Sequence, residues 1–414
     1  MSNEELIKSA EERIRSHRIA TVTLRLVDHA GQPLKGVTID AHLLRHEFKL
    51  GANAFRVNAI ADPTLQESYN ARFAALLNYA TLPFYWGSYE PQPDQTSEVR
   101  LAAMAKWCQQ HGIITKGHPL VWHEVIPTWA AGREDAELLV RLQARVKAVV
   151  SYFKGQIQFW DVVNEATVSH RFGNAVGRWI AREGAAAAVS QALTWASAAD
   201  SDAILLYNDF NISPEFEHLV KTLLDNQAPL RTIGIQSHMH MGVWSLEKVW
   251  QVCETYARFG LPLHFTEATV LSGQAKAVDD DDWFTTRTDW PTTSDGEAQQ
   301  LAYGQQFYTL LFSHPAVEAI TWWDFSDNGS WQGAPAGLIR TDMTPKPLYD
   351  WLLDAFHRRW TTDTRLVTDT AGHASGRFFF GTYSARCQLA SGEVLSSHFS
   401  VSRHGAREVS LVFG

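Results

Sequence analysis

Short apolar runs alternate with amphipathic segments along most of this chain, and this alternation restricts the fold more than any other feature. Between Phe48 and Trp360 the pattern occurs eight times. A short apolar run followed by a helical segment is typical of a βα unit, in which helices cover a parallel sheet. We predict strands at residues 48–54, 79–85, 113–121, 157–165, 203–209, 231–239, 262–269 and 317–325.

Amphipathic helices are predicted to follow these strands. Eight strand–helix pairs over roughly 315 residues match the size of a (β/α)8 barrel, the TIM barrel. A doubly wound open sheet is the alternative, but the number of units and the lack of a glycine-rich phosphate loop after the first strand favour the barrel. The predicted helices include residues 97–111, 135–153, 184–199, 214–226, 246–259, 297–312 and 347–359.

The two ends of the chain have a different pattern, typical of antiparallel β structure. A polar amphipathic helix over residues 1–18 precedes alternating segments at 21–27 and 37–42. Short strands are also predicted after residue 376, separated by Gly and Ser turns. We therefore predict a helix and β segment at 1–45, the barrel at 46–360, and a C-terminal β segment at 361–414. The last segment is too small to be stable alone, so we expect it to pack with residues 20–45 in one small antiparallel β domain.

Charge and composition narrow the classes of partner. A formal net charge of −9, with Lys and Arg scattered along the chain, argues against a nucleic-acid partner. Residues 1–18 contain no apolar leader, and no segment is long enough to span a membrane, so we expect no membrane partner. We expect a cytoplasmic protein as the sequence stands, or a secreted or periplasmic one if a signal peptide was removed. The sequence does not determine the oligomeric state.

Two of the predicted strands end in a glutamate. Glu165 follows the run Trp160 to Asn164, and Glu267 follows Leu263 to Thr266. In a barrel of this kind, functional side chains lie at the carboxyl ends of the strands. Two carboxyl groups in one pocket suit glycoside hydrolysis, since one donates a proton to the leaving oxygen while the other attacks or activates water. A structural ion pair is the alternative for each glutamate.

Most of the other strands also end in polar or aromatic side chains, which is difficult to explain by packing alone. The sequence contains 16 tryptophans, and flat indole rings stack on the apolar faces of sugars. Neutral amides can bind sugar hydroxyls, and a histidine can orient the attacking carboxylate. The candidate residues at strand ends are His118, Trp122, Asn164, Asn208, Gln236, His238, Trp323 and Trp331.

In their order, these strand ends resemble one family. The motifs are Gly-His-Pro-Leu-Val-Trp-His from Gly117, Trp-Asp-Val-Val-Asn-Glu from Trp160, Gln-Ser-His from Gln236, and Thr-Glu from Thr266. They continue with Trp323 to Trp331 and a Pro-Lys-Pro that ends at residue 347. The chain resembles the family 10 glycoside hydrolases, whose known members are mostly retaining β-1,4-xylanases on a (β/α)8 barrel. The resemblance spans about residues 48–355.

This resemblance implies roles for the candidate residues. Glu165 would be the acid/base and Glu267 the nucleophile that forms a covalent glycosyl–enzyme, while Asn164 would contact the sugar 2-hydroxyl. Retention predicts carboxyl groups about 5–5.5 Å apart. No cofactor and no metal are expected, and the implied substrate is xylan, a xylo-oligosaccharide or another β-glycoside. His118, Trp122, Gln236, His238, Trp323 and Trp331 would line the subsites.

The end of the second predicted strand departs from the family pattern. Xylanases usually carry Asn-Glu-Met-Lys-Trp there, and its polar side chains hold sugars on the non-reducing side. This chain has Leu-Pro-Phe-Tyr-Trp at residues 82–86, so apolar and aromatic groups replace the polar ones. Tyr85 and Trp86 are kept as candidate substrate-binding residues. The departure favours a short oligosaccharide, an aryl glycoside or a differently decorated glycan as alternatives to polymeric xylan.

Two further hypotheses follow from other residues. His238 and His240 lie on one face of a strand and could bind a metal with His118 and Asp209, which would make the protein a metal-dependent hydrolase. Alternatively, the changed residues at 82–86 could belong to a carbohydrate-binding protein without catalytic activity. An acidic insertion at 271–292, with Trp283, Phe284 and Trp290, is expected to be a solvated loop that could border the cleft.

Overall fold

A computed structural model describes residues 3–277, 285–389 and 392–413. At its N-terminus, helices α1 (Asn3–Lys8) and α2 (Ala10–His17) replace the single predicted helix. They are separated at Ser9, whose hydroxyl donates to the carbonyl oxygen of Glu5. Serine hydroxyls compete in this way with the regular bonds of a helix. The apolar side chains Leu6, Ala10 and Ile14 are buried.

Two strands follow, and eight more then form a closed parallel barrel, which confirms the predicted fold class. Strands β1 (Ile19–Asp28) and β2 (Thr38–His46) belong to the terminal β structure. Within the barrel, sequential strands are neighbours and the last pairs with the first. The barrel strands are β3 (Lys49–Asn53), β4 (Tyr79–Pro83), β5 (Ile114–His118), β6 (Phe159–Asn164), β7 (Ile204–Asp209), β8 (Thr232–Met239), β9 (Leu263–Val270) and β10 (Val317–Trp322).

The barrel strands are buried along almost their whole length, as expected when side chains of a parallel sheet face either the barrel interior or the covering helices. The covering helices complete the core. They are α3 (Pro63–Leu76), α4 (Trp86–Tyr89), α5 (Glu98–Gln110), α6 (Asp135–Tyr152), α7 (Ala175–Glu183), α8 (Ala185–Ala199), α9 (Pro214–Asp225), α10 (Leu246–Ala257), α11 (Ser294–Ser313) and α12 (Pro347–Asp354), which continues as a π-helical turn, Ala355–Arg359.

A helix was predicted after every barrel strand but no range was given for α3, and α7 was not predicted, although each begins with a clear capping signal. The Asp62 side chain accepts from the backbone N–H groups of Thr64 and Leu65, and proline follows at the first helical position. The Asn174 side chain accepts from two backbone N–H groups in the same way. Such caps satisfy N–H groups that have no partner within the helix. Among the described residues, no helix is long and apolar enough to cross a membrane.

The terminal segments form two sheets that share one core. Strand β1 lies in the middle of a three-stranded sheet, and β2 lies within a four-stranded sheet. Alternate residues of these strands, such as Val22, Leu24 and Ile39, are buried with Tyr383 and Phe399 between the sheets. One pairing, of β1 with the last strand Glu408–Phe413, is parallel. The C-terminal strands are β11 (Asp363–Val367), β12 (His373–Phe379), β13 (Gly381–Gln388), β14 (Val394–Val401) and β15 (Glu408–Phe413).

Strand β5 makes a close contact with β6, the strand that Glu165 follows. Gly117 on β5 faces the fully buried indole of Trp160 on β6, and a Cβ atom at Gly117 would lie 2.1 Å from Trp160 Cζ3. We expect Gly117→Ala to lower the free energy of unfolding by about 1–3 kcal/mol, because an enclosed indole cannot move without disturbing its neighbours. Urea denaturation measures this change.

Gly173→Ala is the matched control for that substitution. Gly173 has no heavy atom within 4 Å of the position its Cβ would take, and its backbone is not left-handed. We expect its unfolding midpoint to stay close to that of the wild type. Equal midpoints for the two variants would contradict the steric argument for Gly117.

Candidate active site

A cleft of about 1020 Å³ lies at the carboxyl ends of the barrel strands. The loops that follow strands β3 to β10 surround it, so each strand end delivers side chains to one place. Of the 12 predicted site residues, ten line this cleft, and Trp86 and Asn208 do not. The ten are Tyr85, His118, Trp122, Asn164, Glu165, Gln236, His238, Glu267, Trp323 and Trp331.

Glu165 follows β6 directly and is held by three hydrogen bonds. Its backbone is left-handed, with φ 60° and ψ 36°, which turns the chain sharply at the strand end. The amides of Asn164 and Gln236 each donate to Oε1 at 2.9 Å, and the indole N–H of Trp122 donates to Oε2 at 3.0 Å. The residue is only 8% exposed. The carboxyl group therefore has a fixed position on the wall of the cleft.

The surroundings of Glu165 favour its protonated form. Burial is the largest cause, and the negative charge of Glu267 adds to it, so that the pKa of Glu165 is raised to about 8. The charge of Asp209 acts in the same direction, while the hydrogen bonds from Gln236 and Trp122 oppose the shift. A carboxyl group that keeps its proton at neutral pH can act as a general acid.

Glu267 lies within β9, and its surroundings favour the ionised form. His238 Nε2 donates to Oε2 at 2.9 Å, and Asn208 Nδ2 donates to Oε1 at 2.8 Å. Burial by itself raises the pKa of Glu267, but the hydrogen bond from His238 and the electrostatic effect of His118 outweigh it, so the pKa lies below its usual value. The two glutamates thus have pKa values shifted in opposite directions.

Two asparagines connect the two carboxyl groups. Asn208 Nδ2 donates both to Glu267 Oε1 and to Asn164 Oδ1, the latter at 2.7 Å. Asn164 in turn donates to Glu165, and Thr266 donates to Asn208 Oδ1. Both the nitrogen and the oxygen of the Asn208 amide therefore have hydrogen-bond partners within the protein. The relative position of the glutamates is set by this buried chain of amides from β6, β7 and β9.

A second buried chain of side chains runs from Lys116 through Asp161 and His118 to Glu267. Lys116 Nζ lies 2.6 Å from Asp161 Oδ2, and the same oxygen accepts from His118 Nδ1 at 2.8 Å. His118 Nε2 then lies 3.9 Å from Glu267 Oε1. Although burial raises the pKa of Asp161, the charge of Lys116 lowers it further, so Asp161 stays ionised. This carboxylate fixes the ring of His118 with Nε2 facing Glu267.

Aromatic rings form the floor and wall beside Glu267. The imidazole of His238, which also lies 3.0 Å from the hydroxyl of Thr269, is 4.8 Å from the ring of Trp331 between centroids. Trp323 contacts both His118 and His238 edge to face. Stacked and edge-on rings of this kind hold one another in place and leave flat apolar faces for a sugar.

The two candidate residues that follow β4, Tyr85 and Trp86, have different environments. Tyr85 lines the cleft and contacts the rings of His118 and Trp122. Trp86 does not line it: the indole is 4% exposed, donates to Glu90 and packs against Trp129. Phe84 is also in the core, against Trp160. The predicted substrate-binding role of Trp86 is therefore replaced by a packing role, because α4 begins at this residue and turns its side chain away from the cleft.

Asn208 differs from its prediction in a similar way. It was expected to bind substrate, but it is 0% exposed, and in the described part of the chain its side chain bonds to Asn164, Glu267 and Thr266. It links Glu267 to Asn164, which in turn bonds to Glu165, and it does not line the cleft.

Two of the residues considered as metal ligands, Asp209 and His238, bond to other side chains. Asp209 accepts from the hydroxyls of Tyr207 and Thr167, whereas His238 bonds to Glu267. In the described part of the chain, no group of three or more His, Cys, Asp or Glu is placed to hold a metal ion.

The acidic insertion is described only in part. The aspartates at 279–282 and the aromatic residues Trp283 and Phe284 lie outside the described residues. Trp290 is partly buried, and its indole donates to the carbonyl oxygen of Gln274 rather than entering the cleft.

Sequence reasoning missed several residues of the cleft. Asn53, Phe55 and Arg56 come from the end of β3 and its loop, where the sequence carried no recognisable motif. Asp324 was seen at a strand end but not chosen; burial raises its pKa to about 7, and its Oδ1 accepts from the backbone N–H of Trp331. Position after a barrel strand was the signal available for all of them. The remaining missed side chains include Arg171, Phe172, Phe210, Met241, Trp244 and Lys248.

Comparison with known proteins agrees with this geometry. Residues 41–355, about three quarters of the chain, match the family model described as Glycosyl hydrolase family 10. The chain belongs to glycosyl hydrolase family 10. It is accordingly a glycoside hydrolase, and its paired glutamates occupy the cleft of a family 10 barrel.

Relatives and solved structures support the same assignment. The chain is 30% identical over 281 residues to endo-1,4-beta-xylanase B of Thermotoga neapolitana. The matched region covers 64% of this chain and 75% of that protein. It is 29% identical over 301 residues to endo-1,4-beta-xylanase of Geobacillus stearothermophilus, covering 68% and 87%. Native xylanase 10B from Thermotoga maritima superposes with a TM-score of 0.63 at 26% identity, covering 76% of this chain and 97% of that one.

Proposed function

We propose that this family 10 member hydrolyses β-1,4-xylosidic bonds in xylan or xylo-oligosaccharides and retains the configuration of the anomeric carbon. The observation that carries the chemistry is the pair of glutamates with oppositely shifted pKa values in one cleft. The substrate class is supported by the relatives in Thermotoga neapolitana and Geobacillus stearothermophilus, both of which are xylanases.

The first step breaks the glycosidic bond. The carboxylate of Glu267 attacks the anomeric carbon, while Glu165 donates its proton to the glycosidic oxygen and the leaving sugar departs as an alcohol. The glycone is then held as an ester of Glu267. The amide of Asn208 and the imidazole of His238 each donate to Glu267, so they orient its oxygens before attack.

The second step hydrolyses this ester. Glu165, now a carboxylate, accepts a proton from water as the water attacks the anomeric carbon. The bond to Glu267 breaks, the sugar is released, and Glu165 is protonated again. Two inversions at one carbon give net retention. The low pKa of Glu267 makes it a good leaving group in this step.

A different β-glycoside is the second candidate substrate, and the end of β4 favours it. Tyr85 contributes an aromatic ring to the cleft, whereas Phe84 and Trp86 turn into the core. This wall offers stacking surface but few hydrogen-bond donors, which favours a short or decorated oligosaccharide over a long regular polymer.

Product analysis by proton NMR tests both substrate class and mechanism. We expect hydrolysis of xylo-oligosaccharides, with the β-anomer of the new reducing end appearing first and the α-anomer growing only by mutarotation. Early appearance of the α-anomer would refute retention. Hydrolysis of β-glucosides with no turnover of any xyloside would reassign the substrate while leaving the chemistry in place.

A further inference from the structure

Arg56 is a cationic group in the cleft that the mechanism does not use. It lies in the loop after β3, is half-buried, and lines the cleft beside Phe55 and Tyr85. Its Nη2 donates to the side-chain oxygen of Asn328 at 2.8 Å. Asn328 belongs to the loop after β10. The guanidinium therefore bridges two loops on the side of the cleft formed by β10, β3 and β4.

Gly329, in the loop after β10, leaves room for the guanidinium of Arg56. Gly329 has a φ of +74°, and a Cβ atom there would lie 3.1 Å from both Cζ and Nε of Arg56. A glycine at this position thus lets the planar group lie directly against the loop after β10. The placement is fixed by packing on one side and by the Asn328 amide at one nitrogen, so the group is ordered before any ligand arrives.

Within the part of the chain that the structure describes, the charge of Arg56 has no opposite charge paired with it. Across the described ranges 3–277, 285–389 and 392–413, no carboxylate forms an ion pair with it, and its Nε is buried without an acceptor. Asp324 lines the same side, but burial raises its pKa to about 7. Two other cations line the cleft from the opposite side: Arg171 from the segment after β6, and Lys248 from the first turn of α10, which follows β8.

We propose that Arg56 binds the carboxylate of a uronic acid carried by the oligosaccharide, on the side of the cleft formed by the loops after β3, β4 and β10. The inference rests on the proposed function and makes it more specific. A guanidinium binds a carboxylate through paired, charge-assisted hydrogen bonds, whereas a neutral hydroxyl leaves the charge uncompensated. The rings of Phe55 and Tyr85 supply the apolar surface on which the acidic sugar stacks.

The test compares matched acidic and neutral substrates. Xylo-oligosaccharides with one glucuronic acid substituent, on either terminal sugar, are paired with the same compounds after reduction of the carboxyl group to an alcohol. For one of the two positional isomers we expect kcat/KM to be at least about tenfold higher for the acid than for its neutral partner. The ratio should fall as salt increases, because the interaction is partly exposed.

Variants then assign that preference to Arg56. Arg56→Gln keeps an amide that can reach Asn328 but removes the charge, and should bring the acid-to-neutral ratio close to one. Arg56→Lys keeps the charge without the fork and should retain part of the ratio. Arg100→Gln removes one positive charge from the exposed surface of α5, outside the cleft, and should leave the ratio as in the wild type.

Each outcome separates this inference from the proposed function. An acid-to-neutral ratio of kcat/KM near one in the wild type, with good turnover of neutral xylo-oligosaccharides, would overturn the role of Arg56. The proposed hydrolysis of xylosidic bonds would then still stand. A preference for the acid that persists in Arg56→Gln would also overturn it. Turnover of neither xyloside would refute the proposed function itself, and with it this inference.

Discussion

Replacing Glu267 with alanine is expected to lower kcat/KM for xylo-oligosaccharides by at least about 10³-fold, because the variant has no group that can form the glycosyl ester. Steady-state release of reducing sugar measures the loss. Added azide should restore turnover of an aryl β-xyloside with a good leaving group, since the anion fits where the carboxylate was. The product should be the α-glycosyl azide, formed by a single inversion.

The matched control for this variant is Glu134→Ala, which removes an exposed carboxylate just before α6, outside the cleft. It should hydrolyse the same substrates at the wild-type rate. Circular dichroism and thermal unfolding should show that the Glu267 variant remains folded. Wild-type-like activity of the folded Glu267 variant would refute its assignment as the nucleophile.

Replacing Glu165 with glutamine is expected to have the second largest effect, about 10²–10⁴-fold on kcat/KM for xylo-oligosaccharides. The loss should be much smaller for aryl glycosides whose leaving groups need no proton, because only the acid catalysis of the first step is removed. For the corresponding alanine variant, azide should intercept the glycosyl–enzyme and give the β-glycosyl azide. The opposite anomers from the two sites distinguish acid/base from nucleophile.

The pH profile provides an independent check on Glu165. In the wild type the acid must be protonated, so kcat/KM should fall as pH rises through about 8, the raised pKa of Glu165. Glu267 must be ionised, so kcat/KM should also fall as pH drops below its lowered pKa. In Glu165→Gln the alkaline limb should disappear while the acidic limb remains. Persistence of the alkaline limb would show that another group is the acid.

The fold was largely predictable because each βα unit follows from local patterning. All eight barrel strands lie where apolar runs occur, and their ends differ from the prediction by a few residues. The range of α3 was not predicted because its apolar pattern is weak, and α7 was missed because it is short, although Asp62 and Asn174 mark their starts. The strand β11 was missed because its residues alternate without full burial.

Residues that line the cleft could be predicted where they lie at the end of a barrel strand or directly after it. Glu165, Glu267, His118 and His238 are such residues, and parallel strands in a closed barrel bring their carboxyl ends together. Trp86 shows where this rule stops. It comes only a few residues after β4, yet the start of α4 rotates its indole into the core. Direction of a side chain beyond the strand depends on the loop and on its packing.

The sequence by itself therefore determined the barrel, the convergence of its strand ends and the two glutamates, since these follow from periodicity and order along the chain. Only the tertiary structure decided which glutamate keeps its proton, because the pKa shifts come from burial and from partners on other strands. It likewise decided that Asn208 holds the carboxyl groups and that Arg56 enters the cleft without a carboxylate partner in the described residues. Such contacts join residues distant in sequence, and no local pattern records them.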